Sequence, residues 1–207
     1  MSEIIITANH VSKILKGKKV LDDVTVSFER GKIYGIVGAN ASGKTMLFRA
    51  LTGLISLTSG EVKISPPDST MGVIVENPGF LLSYSGFENL QFLASIRKQI
   101  SDERITEAMR EVGLDPSDKR KVKAYSLGMK QKLAIAQAIM EYPDILILDE
   151  PTRGLDAGSV ESIRALLRRI NQEGATILLS SHNGEDIEAL CSQVYTMDKG
   201  KLFFSLE

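Results

Sequence analysis

A glycine-rich loop in the first quarter of the chain has the residue types and the spacing that bind phosphate. It reads Gly38-Ala39-Asn40-Ala41-Ser42-Gly43-Lys44-Thr45, with the full Gly-x-x-x-x-Gly-Lys-Thr pattern. A β-rich run over 33–37 precedes the loop and a predicted helix follows it, so backbone N–H groups and the positive helix end would face one ligand. We expect Lys44 to reach the β- and γ-phosphates of a nucleotide, and Thr45 to give its hydroxyl to Mg²⁺. This context favours a phosphate site over a chance glycine-rich turn.

An apolar run over 145–148 ends in two carboxylates, Asp149 and Glu150. If the run is a β-strand, Asp149 emerges at the carboxyl edge of the sheet, beside the glycine-rich loop. Mg²⁺ takes one or two carboxylates together with phosphate oxygens, so we predict that Asp149 is a metal ligand. Glu150 is predicted to be the general base, or the positioner, for an attacking water. A solvated acidic turn is the alternative interpretation of the pair.

Two further candidate residues, Ser126 and His182, have to be interpreted together with the predicted helix and strand beside them. Ser126 precedes a helix predicted over 127–140, where it would be a natural N-cap, and Gly128 follows two residues later. His182 follows an apolar run over 176–180, a predicted strand that ends at the same sheet edge as 145–148. Taken alone, a serine and a histidine in such places are more typical of a helix cap and of a structural role.

Together these segments resemble the ATP-binding cassette (ABC) ATPases, over about residues 3–204. The resemblance implies that Ser126 and Gly128 close over the γ-phosphate held by a second copy of the chain. It implies that His182 contacts the γ-phosphate and orients the water, and that Asp156 lies in a loop that crosses to the partner subunit. The cofactors are then ATP and Mg²⁺, and the residues that hold the nucleotide from the loop side are Gly38, Asn40, Ala41, Ser42, Gly43, Lys44, Thr45 and Met46.

The chain departs from the family pattern at informative positions. Tyr125-Ser126-Leu127-Gly128-Met129 stands where the family usually has Leu-Ser-Gly-Gly-Gln. Glu76 replaces the usual glutamine that senses Mg²⁺, and its carboxylate is expected to ligate the metal directly or through water. Leu15 replaces the aromatic residue that usually stacks on adenine, which predicts modest affinity and a weak preference for ATP over GTP. The run over 76–80 and the variant serine segment resemble the antibiotic-peptide export and resistance cassettes of the bacitracin and lantibiotic kind.

Hydrophobic patterning predicts an α/β fold: a P-loop NTPase core with a mostly parallel sheet, an N-terminal antiparallel β part and an inserted helical subdomain. We expect a single ABC ATPase domain over 1–207, with a β-rich nucleotide-binding core over 1–76 and 141–207 and a helical subdomain over 77–140. Predicted strands span 3–7, 20–28, 33–37, 61–64, 71–75, 145–148, 176–180, 194–197 and 201–204. Predicted helices span 46–51, much of 77–112, 127–140, 158–172 and 184–191.

The composition limits the range of functions. Among 207 residues, 25 Lys+Arg and 26 Asp+Glu give a net charge of -1, so no nucleic-acid partner is expected. The single cysteine, Cys191, suits a reducing compartment. The start of the chain is acidic rather than signal-like, and no apolar run approaches the roughly 20 residues of a membrane helix. Any membrane span must therefore come from another chain.

These observations favour the ATP-binding and hydrolysing subunit of an ABC transporter. It would dimerise on Mg-ATP with a second copy or a related cassette and drive a separate integral-membrane permease. The expected location is cytoplasmic, peripheral on the inner face of the cell membrane, and the expected direction is export of a peptide antibiotic or other small amphipathic molecule. The alternatives are a soluble ABC ATPase acting on DNA or the ribosome, and a sensing or regulatory cassette.

Four aromatic residues lie in the segment where the family docks its membrane subunit. They are Phe80, Tyr84, Phe87 and Phe92. We expect most of them to fill the core of the helical subdomain and one or two to remain exposed as an anchor.

Overall fold

Two β-sheets, one antiparallel and one mostly parallel, carry the helices; the computed structural model describes residues 3–76 and 79–205. The antiparallel sheet has the strand order β2-β1-β4, with β1 Ile4–Leu15, β2 Lys18–Glu29 and β4 Ser59–Ile64. The second sheet has the order β5-β6-β7-β3-β8-β9, in which only the β8–β9 pair is antiparallel. Its strands are β3 Ile33–Val37, β5 Met71–Ile74, β6 Ile145–Asp149, β7 Thr176–Ser180, β8 Gln193–Asp198 and β9 Lys201–Phe204.

The helices lie where the sequence predicted them within the described ranges, apart from their ends, and the segment predicted over 77–112 contains two of them. They are α1 Lys44–Leu51, α2 Gly86–Arg97, α3 Asp102–Glu111, α4 Leu127–Ile139, α5 Ala157–Gln172 and α6 Gly184–Leu190, with a 3-10 turn at Val122–Ala124. The glycines expected to end α1 and α3, Gly53 and Gly113, both have positive φ angles (71° and 73°). Left-handed glycines of this kind terminate helices because they lack a Cβ. The predicted α/β fold class with a mostly parallel sheet is thus confirmed.

Two details of the helical segment were not anticipated. Ser85 begins α2 with a full capping box, in which its Oγ accepts the Glu88 N–H at 3.3 Å and Glu88 Oε2 accepts the Ser85 N–H at 2.6 Å. Ser101 does occupy the N-cap position of α3, but its side chain makes no capping hydrogen bond to the helix backbone. Asn77 and Pro78, at the predicted start of the helical segment, lie outside the described residues.

Alternate residues of the parallel strands face two separate hydrophobic cores. In β6, Ile145 and Ile147 join the core between the two sheets, around Phe28, Tyr34 and Phe48. Leu146 and Leu148 join the core beneath the helices, which includes Leu90, Ile105, Leu133, Ile163 and Leu167. Every one of these side chains is buried, so each face of the parallel sheet is covered, as expected for strands that read as continuous apolar runs.

The sheet topology determines where the predicted site residues meet. β6, β7 and β3 are neighbours, and all three run parallel. The segments that follow them, with Glu150, His182 and Gly38, therefore leave the sheet at one edge.

Candidate nucleotide-binding site

A cavity of about 810 Å³ opens at the carboxyl edge of the parallel sheet. Eleven of the residues predicted from the sequence line it: Asn40, Ala41, Ser42, Gly43, Lys44, Thr45, Met46, Glu76, Asp149, Glu150 and His182. It is also lined by basic residues that the sequence analysis did not single out, namely Lys18, Lys19, Arg153 and Lys199. The excess of positive side chains suits a polyanionic ligand such as a triphosphate.

The glycine-rich loop wraps the amino end of α1, and glycine is required at both of its ends. A Cβ on Gly38 would lie 2.2 Å from the Met197 carbonyl oxygen, and a Cβ on Gly43 would lie 2.9 Å from the Val20 carbonyl oxygen. The φ angles of Gly38 and Gly43 are 149° and 119°, which side-chain-bearing residues rarely adopt. The loop therefore packs directly on the β8–β9 turn and on β2.

Two polar side chains in the loop have the properties of phosphate contacts. The Lys44 ammonium is largely buried and donates to the carbonyl oxygens of Gly38 at 2.7 Å and Ala39 at 3.1 Å. The Ser42 Oγ is buried and has no hydrogen-bond partner in the described part of the chain. A buried polar atom without a partner is costly, so a ligand oxygen at this place would satisfy it.

Thr45 and Asp149 form the metal-binding candidate. Thr45 Oγ1 donates to Asp149 Oδ2 at 2.6 Å, and Asp149 Oδ1 accepts from Ser180 Oγ at 2.5 Å. These hard oxygen donors fit Mg²⁺. Across residues 3–76 and 79–205, no group of three or more His, Cys, Asp or Glu residues could hold a metal by itself. The donor set therefore fits a magnesium ion that also needs phosphate oxygens, as the sequence predicted.

Glu150 lies in the turn after β6 with a φ angle of 53°, in the left-handed region. The Glu150 N–H donates to two acceptors on Ser180, the carbonyl oxygen at 3.2 Å and Oγ at 3.1 Å. The His182 N–H donates to Glu150 Oε2 at 3.2 Å, and His182 Nε2 is 3.2 Å from Glu150 Oε1. That second contact lacks hydrogen-bond geometry, so the buried Oε1 has no hydrogen-bond partner among the described residues. The Glu150 carboxylate lies at the wall of the cavity, beside His182.

Glu76, the replacement for glutamine, also lines the cavity and has a φ angle of 66°. Its Oε2 forms an ion pair with Nη2 of Arg49, a residue on α1 that the sequence analysis did not consider. The guanidinium offsets the negative charge that Glu76 adds near the triphosphate site.

Five predicted nucleotide contacts are absent from the cavity lining: Gly38, which lies at the start of the glycine-rich loop, and Ser126, Asp156, Gly128 and Leu15. Ser126 caps α4, with its Oγ accepting the Met129 N–H at 3.2 Å. Asp156 caps α5 by accepting the Ser159 N–H at 2.9 Å and the Ser159 Oγ–H at 2.7 Å, and these bonds lower the pKa of the Asp156 carboxyl. Gly128 packs near the Gly154 carbonyl oxygen, and Leu15 is 41% exposed at the end of β1. Ser126, Asp156 and Gly128 are near one another on the surface rather than against their own phosphate loop.

Two residues that support the site were missed by the sequence analysis. Ser180 bridges Asp149 and Glu150, as described above, and Gln131 on α4 donates to the Pro151 carbonyl oxygen at 3.0 Å. Ser180 could have been found from its place at the end of a buried strand beside β6. Gln131 carries no such signal, because its partner is a backbone carbonyl.

Comparisons with known proteins agree with this geometry. Residues 21–153 match the sequence profile of the family described as ABC transporter. The chain belongs to this family. An uncharacterized ABC transporter ATP-binding protein of Bacillus subtilis (strain 168) is 43% identical over 201 residues, covering 93% of this chain and 92% of the relative.

Other ABC relatives are named for antibiotic transport. The bacitracin transport ATP-binding protein of Enterococcus faecalis is 36% identical, covering 97% of this chain and 68% of its own length. The lantibiotic transport ATP-binding protein of Streptococcus pyogenes is 34% identical, and the match covers 92% of this chain and 86% of that relative. A solved dimeric bacterial ABC transporter cassette has a TM-score of 0.89 at 22% identity, covering 96% of each chain. The protein is thus an ABC ATPase, the ATP-binding subunit of an ABC transporter.

No helix in the described ranges of this ABC cassette is both long enough and apolar enough to cross a membrane.

Proposed function

We propose that the chain dimerises on Mg-ATP, hydrolyses ATP and drives a separate integral-membrane permease. The observation that carries this proposal is the division of the predicted site into two groups. The phosphate loop, Asp149, Glu150 and His182 meet at one cavity, whereas Ser126 and Gly128 lie outside it. A second chain is therefore the natural source of the missing contacts.

In this proposal, the phosphate loop and Lys44 hold the triphosphate. Lys44 exchanges the carbonyl oxygens of Gly38 and Ala39 for phosphate oxygens, and the backbone N–H groups at the start of α1 face the same anion. Thr45 and Asp149, with Glu76 beside them, are the residues that would hold Mg²⁺, which neutralises phosphate charge when bound. Ser42 supplies a further hydroxyl to the phosphates.

Glu150 accepts a proton from the attacking water, or orients that water, through its carboxylate, which lines the cavity. His182 is held against the same carboxylate by its backbone N–H, which keeps the imidazole at the cavity wall. The imidazole then contacts the γ-phosphate. From the partner copy, Ser126, Gly128 and the amino end of α4 cover the phosphate, and Asp156 lies in the loop at the boundary between the copies.

The permease is expected to bind beside the helical segment. A groove of about 410 Å³ is lined by Leu54, Phe80 and Phe92 among others, and it adjoins Glu76. Tyr84 and Phe92 are 49% and 57% exposed, whereas Phe80 and Phe87 pack partly against the core, in line with the expected one or two exposed anchors. Exposed aromatic side chains of this kind favour a protein partner.

The transported molecule is proposed to be a peptide antibiotic or another small amphipathic molecule, moved outward. This rests on relatives named for bacitracin and lantibiotic transport and on the variant segments around Glu76 and Ser126. Location at the inner face of the cell membrane, through the permease, follows from the same proposal. A cassette acting on DNA or the ribosome is less well supported, because the net charge is only -1. A sensing cassette would bind a membrane partner without substrate-stimulated hydrolysis.

A pair of variants tests the enzymatic part. Glu150→Gln should bind ATP with an affinity within about threefold of the wild type, yet lose at least about 100-fold in turnover, because general-base catalysis contributes on that scale. Lys44→Ala should lose at least about tenfold in ATP affinity, because it removes charge-assisted hydrogen bonds to phosphate. Nucleotide titration and steady-state phosphate release measure both quantities. Full turnover by Glu150→Gln would contradict the assigned role.

The permease part is tested by affinity capture of tagged Glu150→Gln from native membranes in Mg-ATP, with tagged Lys44→Ala as the matched control. Slow hydrolysis should hold the closed dimer and retain a multi-spanning membrane protein, which the control should retain more weakly. Recovery of ribosomes, DNA or only soluble proteins would contradict the transporter proposal.

A further inference from the structure

A buried carboxylate on α6 joins the two loops that carry Glu150 and His182. Asp186 is 1% exposed and accepts hydrogen bonds from Thr152 Oγ1 at 2.6 Å and from Ser181 Oγ at 2.8 Å. Arg164, on α5, donates to the same carboxylate from Nε at 2.7 Å. The acid therefore has three side-chain partners, which come from three different segments of the chain.

Arg164 makes this buried charge tolerable. The arginine side chain is 6% exposed, and its Nη2 is 2.6 Å from Asp186 Oδ1, so the guanidinium contacts the carboxylate through two nitrogens. A buried carboxylate without a cation would be strongly destabilising, whereas a paired and fully hydrogen-bonded one is held in a single geometry. Glu161 and Glu185, at the exposed side of Arg164, also pair with its guanidinium.

The two hydroxyl donors are close in sequence to the proposed catalytic residues. Thr152 follows Glu150 by two positions, and Ser181 directly precedes His182. The Ser181 Oγ also accepts the Asn183 N–H at 3.0 Å, which closes the turn that contains His182. One carboxylate thus restrains both loops, at the place where the His182 N–H donates to Glu150 Oε2 at 3.2 Å.

We propose that Asp186, held by Arg164, is a positioning residue for ATP hydrolysis, and that it sets the relative placement of Glu150 and His182 through the hydroxyls of Thr152 and Ser181. The inference rests on the proposed function of those two residues. The nucleotide itself is held by the phosphate loop, and among the described residues no hydrogen bond joins that loop to Asp186, Thr152 or Ser181. Loss of a hydroxyl should therefore lower kcat and leave the KM for ATP nearly unchanged.

Thr152 offers a matched pair of substitutions. Thr152→Val keeps the shape and removes the hydroxyl, whereas Thr152→Ser keeps the hydroxyl and removes a methyl group. Because a small displacement of a catalytic group can cost up to about 100-fold, we expect Thr152→Val to lower kcat about tenfold. The KM should stay within about twofold, and Thr152→Ser should restore kcat to within about threefold of the wild type.

Ser181→Ala is an independent test of the same proposal. It should also lower kcat and leave the KM for ATP nearly unchanged. Since both hydroxyls act through one carboxylate, the loss of kcat in the double variant Thr152→Val/Ser181→Ala should be smaller than the product of the two single losses.

Thr176→Val is the structural control. It removes a fully buried threonine hydroxyl, which accepts the Gly31 N–H at 2.9 Å at the opposite edge of the sheet, and it should keep kcat within about twofold.

Wild-type kcat in both Thr152→Val and Ser181→Ala would overturn the proposal, as would a Thr152→Ser variant as slow as Thr152→Val. A loss of kcat in Thr176→Val equal to that in Thr152→Val would also overturn it, since general destabilisation would then explain both. Glu150→Gln, assayed in parallel, distinguishes a failure of the proposed function from a failure of the positioning role of Asp186. If that variant retains full turnover, the proposed function fails; if it is slow while Thr152→Val and Ser181→Ala are both normal, only the positioning role fails.

Discussion

At the residue scale, the charge of Glu76 is the least expected feature of the site. A carboxylate near a triphosphate would weaken binding, but Arg49 on α1 pairs with it. The neighbouring basic residues Lys18, Arg153 and Lys199 add positive charge to the same cavity. The site can therefore accept an acid in place of the usual amide without losing its overall attraction for an anion.

The preference for ATP over GTP also depends on single residues, those that contact the purine base. The described residues that line the cavity include no phenylalanine, tyrosine or tryptophan, and Leu15 is 41% exposed at the end of β1. Leucine can cover a purine face, but it offers no aromatic stacking. We therefore expect ATP and GTP to bind with affinities within about tenfold of one another, a difference of about 1.4 kcal/mol.

Competitive titration of the two nucleotides under equal conditions measures this preference. Leu15→Tyr is the matched variant. If Leu15 covers the base, the tyrosine should tighten the binding of both purine nucleotides, because base–aromatic stacking contributes roughly 1–3 kcal/mol. A preference of the wild type above about tenfold would contradict the expectation.

The spacing of residues predicted much of the site. Lys44, Thr45, Asp149 and Glu150 belong to local patterns in which one residue type at one position has a chemical reason, whereas the role of His182 was implied by the resemblance to the ABC ATPases. All of them line the cavity. Gln131 and Arg49 could not be predicted in this way, because their partners, the Pro151 carbonyl oxygen and the Glu76 carboxylate, are distant in sequence.

At the scale of the element, hydrophobic patterning found the buried strands and missed half of β1. A strand was expected over 3–7, whereas β1 continues to Leu15. The second half is rich in polar residues, and its partners, β2 and β4, are irregular in register near Asn9 and Val11. Pairing on both edges of β1 stabilises this half, and pairing of that kind leaves no periodic signal in the sequence.

The amino ends of α2 and α3 supply a prediction at this scale. Ser85→Ala removes the Oγ that accepts the Glu88 N–H, so it should lower the free energy of unfolding by about 1 kcal/mol. Ser101→Ala is the matched control: Ser101 is exposed and its side chain does not cap the α3 backbone, so the change should stay within about 0.5 kcal/mol. Urea unfolding of both variants measures the difference. Equal losses in the two variants would contradict the geometric argument.

At the scale of the whole molecule, the helical segment and the sheet share a core. Leu90 and Ile105, from α2 and α3, belong to the same hydrophobic cluster as Leu146 and Leu148 of β6. The segment over 77–140 is therefore packed on the sheet as far as it is described. Its division from the core as a subdomain stays a prediction.

The proposed sharing of sites between two chains gives a prediction for the assembly. ATPase activity per molecule should rise with protein concentration and level off once the dimer dominates, because each site needs Ser126 and Gly128 from a partner. A flat specific activity well below the dimer dissociation constant would contradict it. Steady-state phosphate release over a dilution series measures this dependence.

Mixing two inactive variants provides a sharper form of the same experiment. Lys44→Ala disables the phosphate loop and Ser126→Arg disables the covering segment, but a mixed dimer contains one site with both parts intact. Activity should return when the two are combined and remain absent in either one alone. No recovery on mixing would contradict shared sites.

The place of β3 in the sheet has a consequence for synthesis of the protein on the ribosome. β3 ends at Val37, but its two neighbours are β7 and β8, and β8 ends at Asp198. At about 5–20 residues per second, roughly 7–28 s of translation pass between the end of β3 and the start of β7 at Thr176. During that time Ile33–Val37, almost fully buried in the finished sheet, lacks both partner strands. A nascent chain shorter than about residue 176 therefore exposes this apolar strand to chaperones, and ATP can stabilise only a chain whose last quarter has emerged.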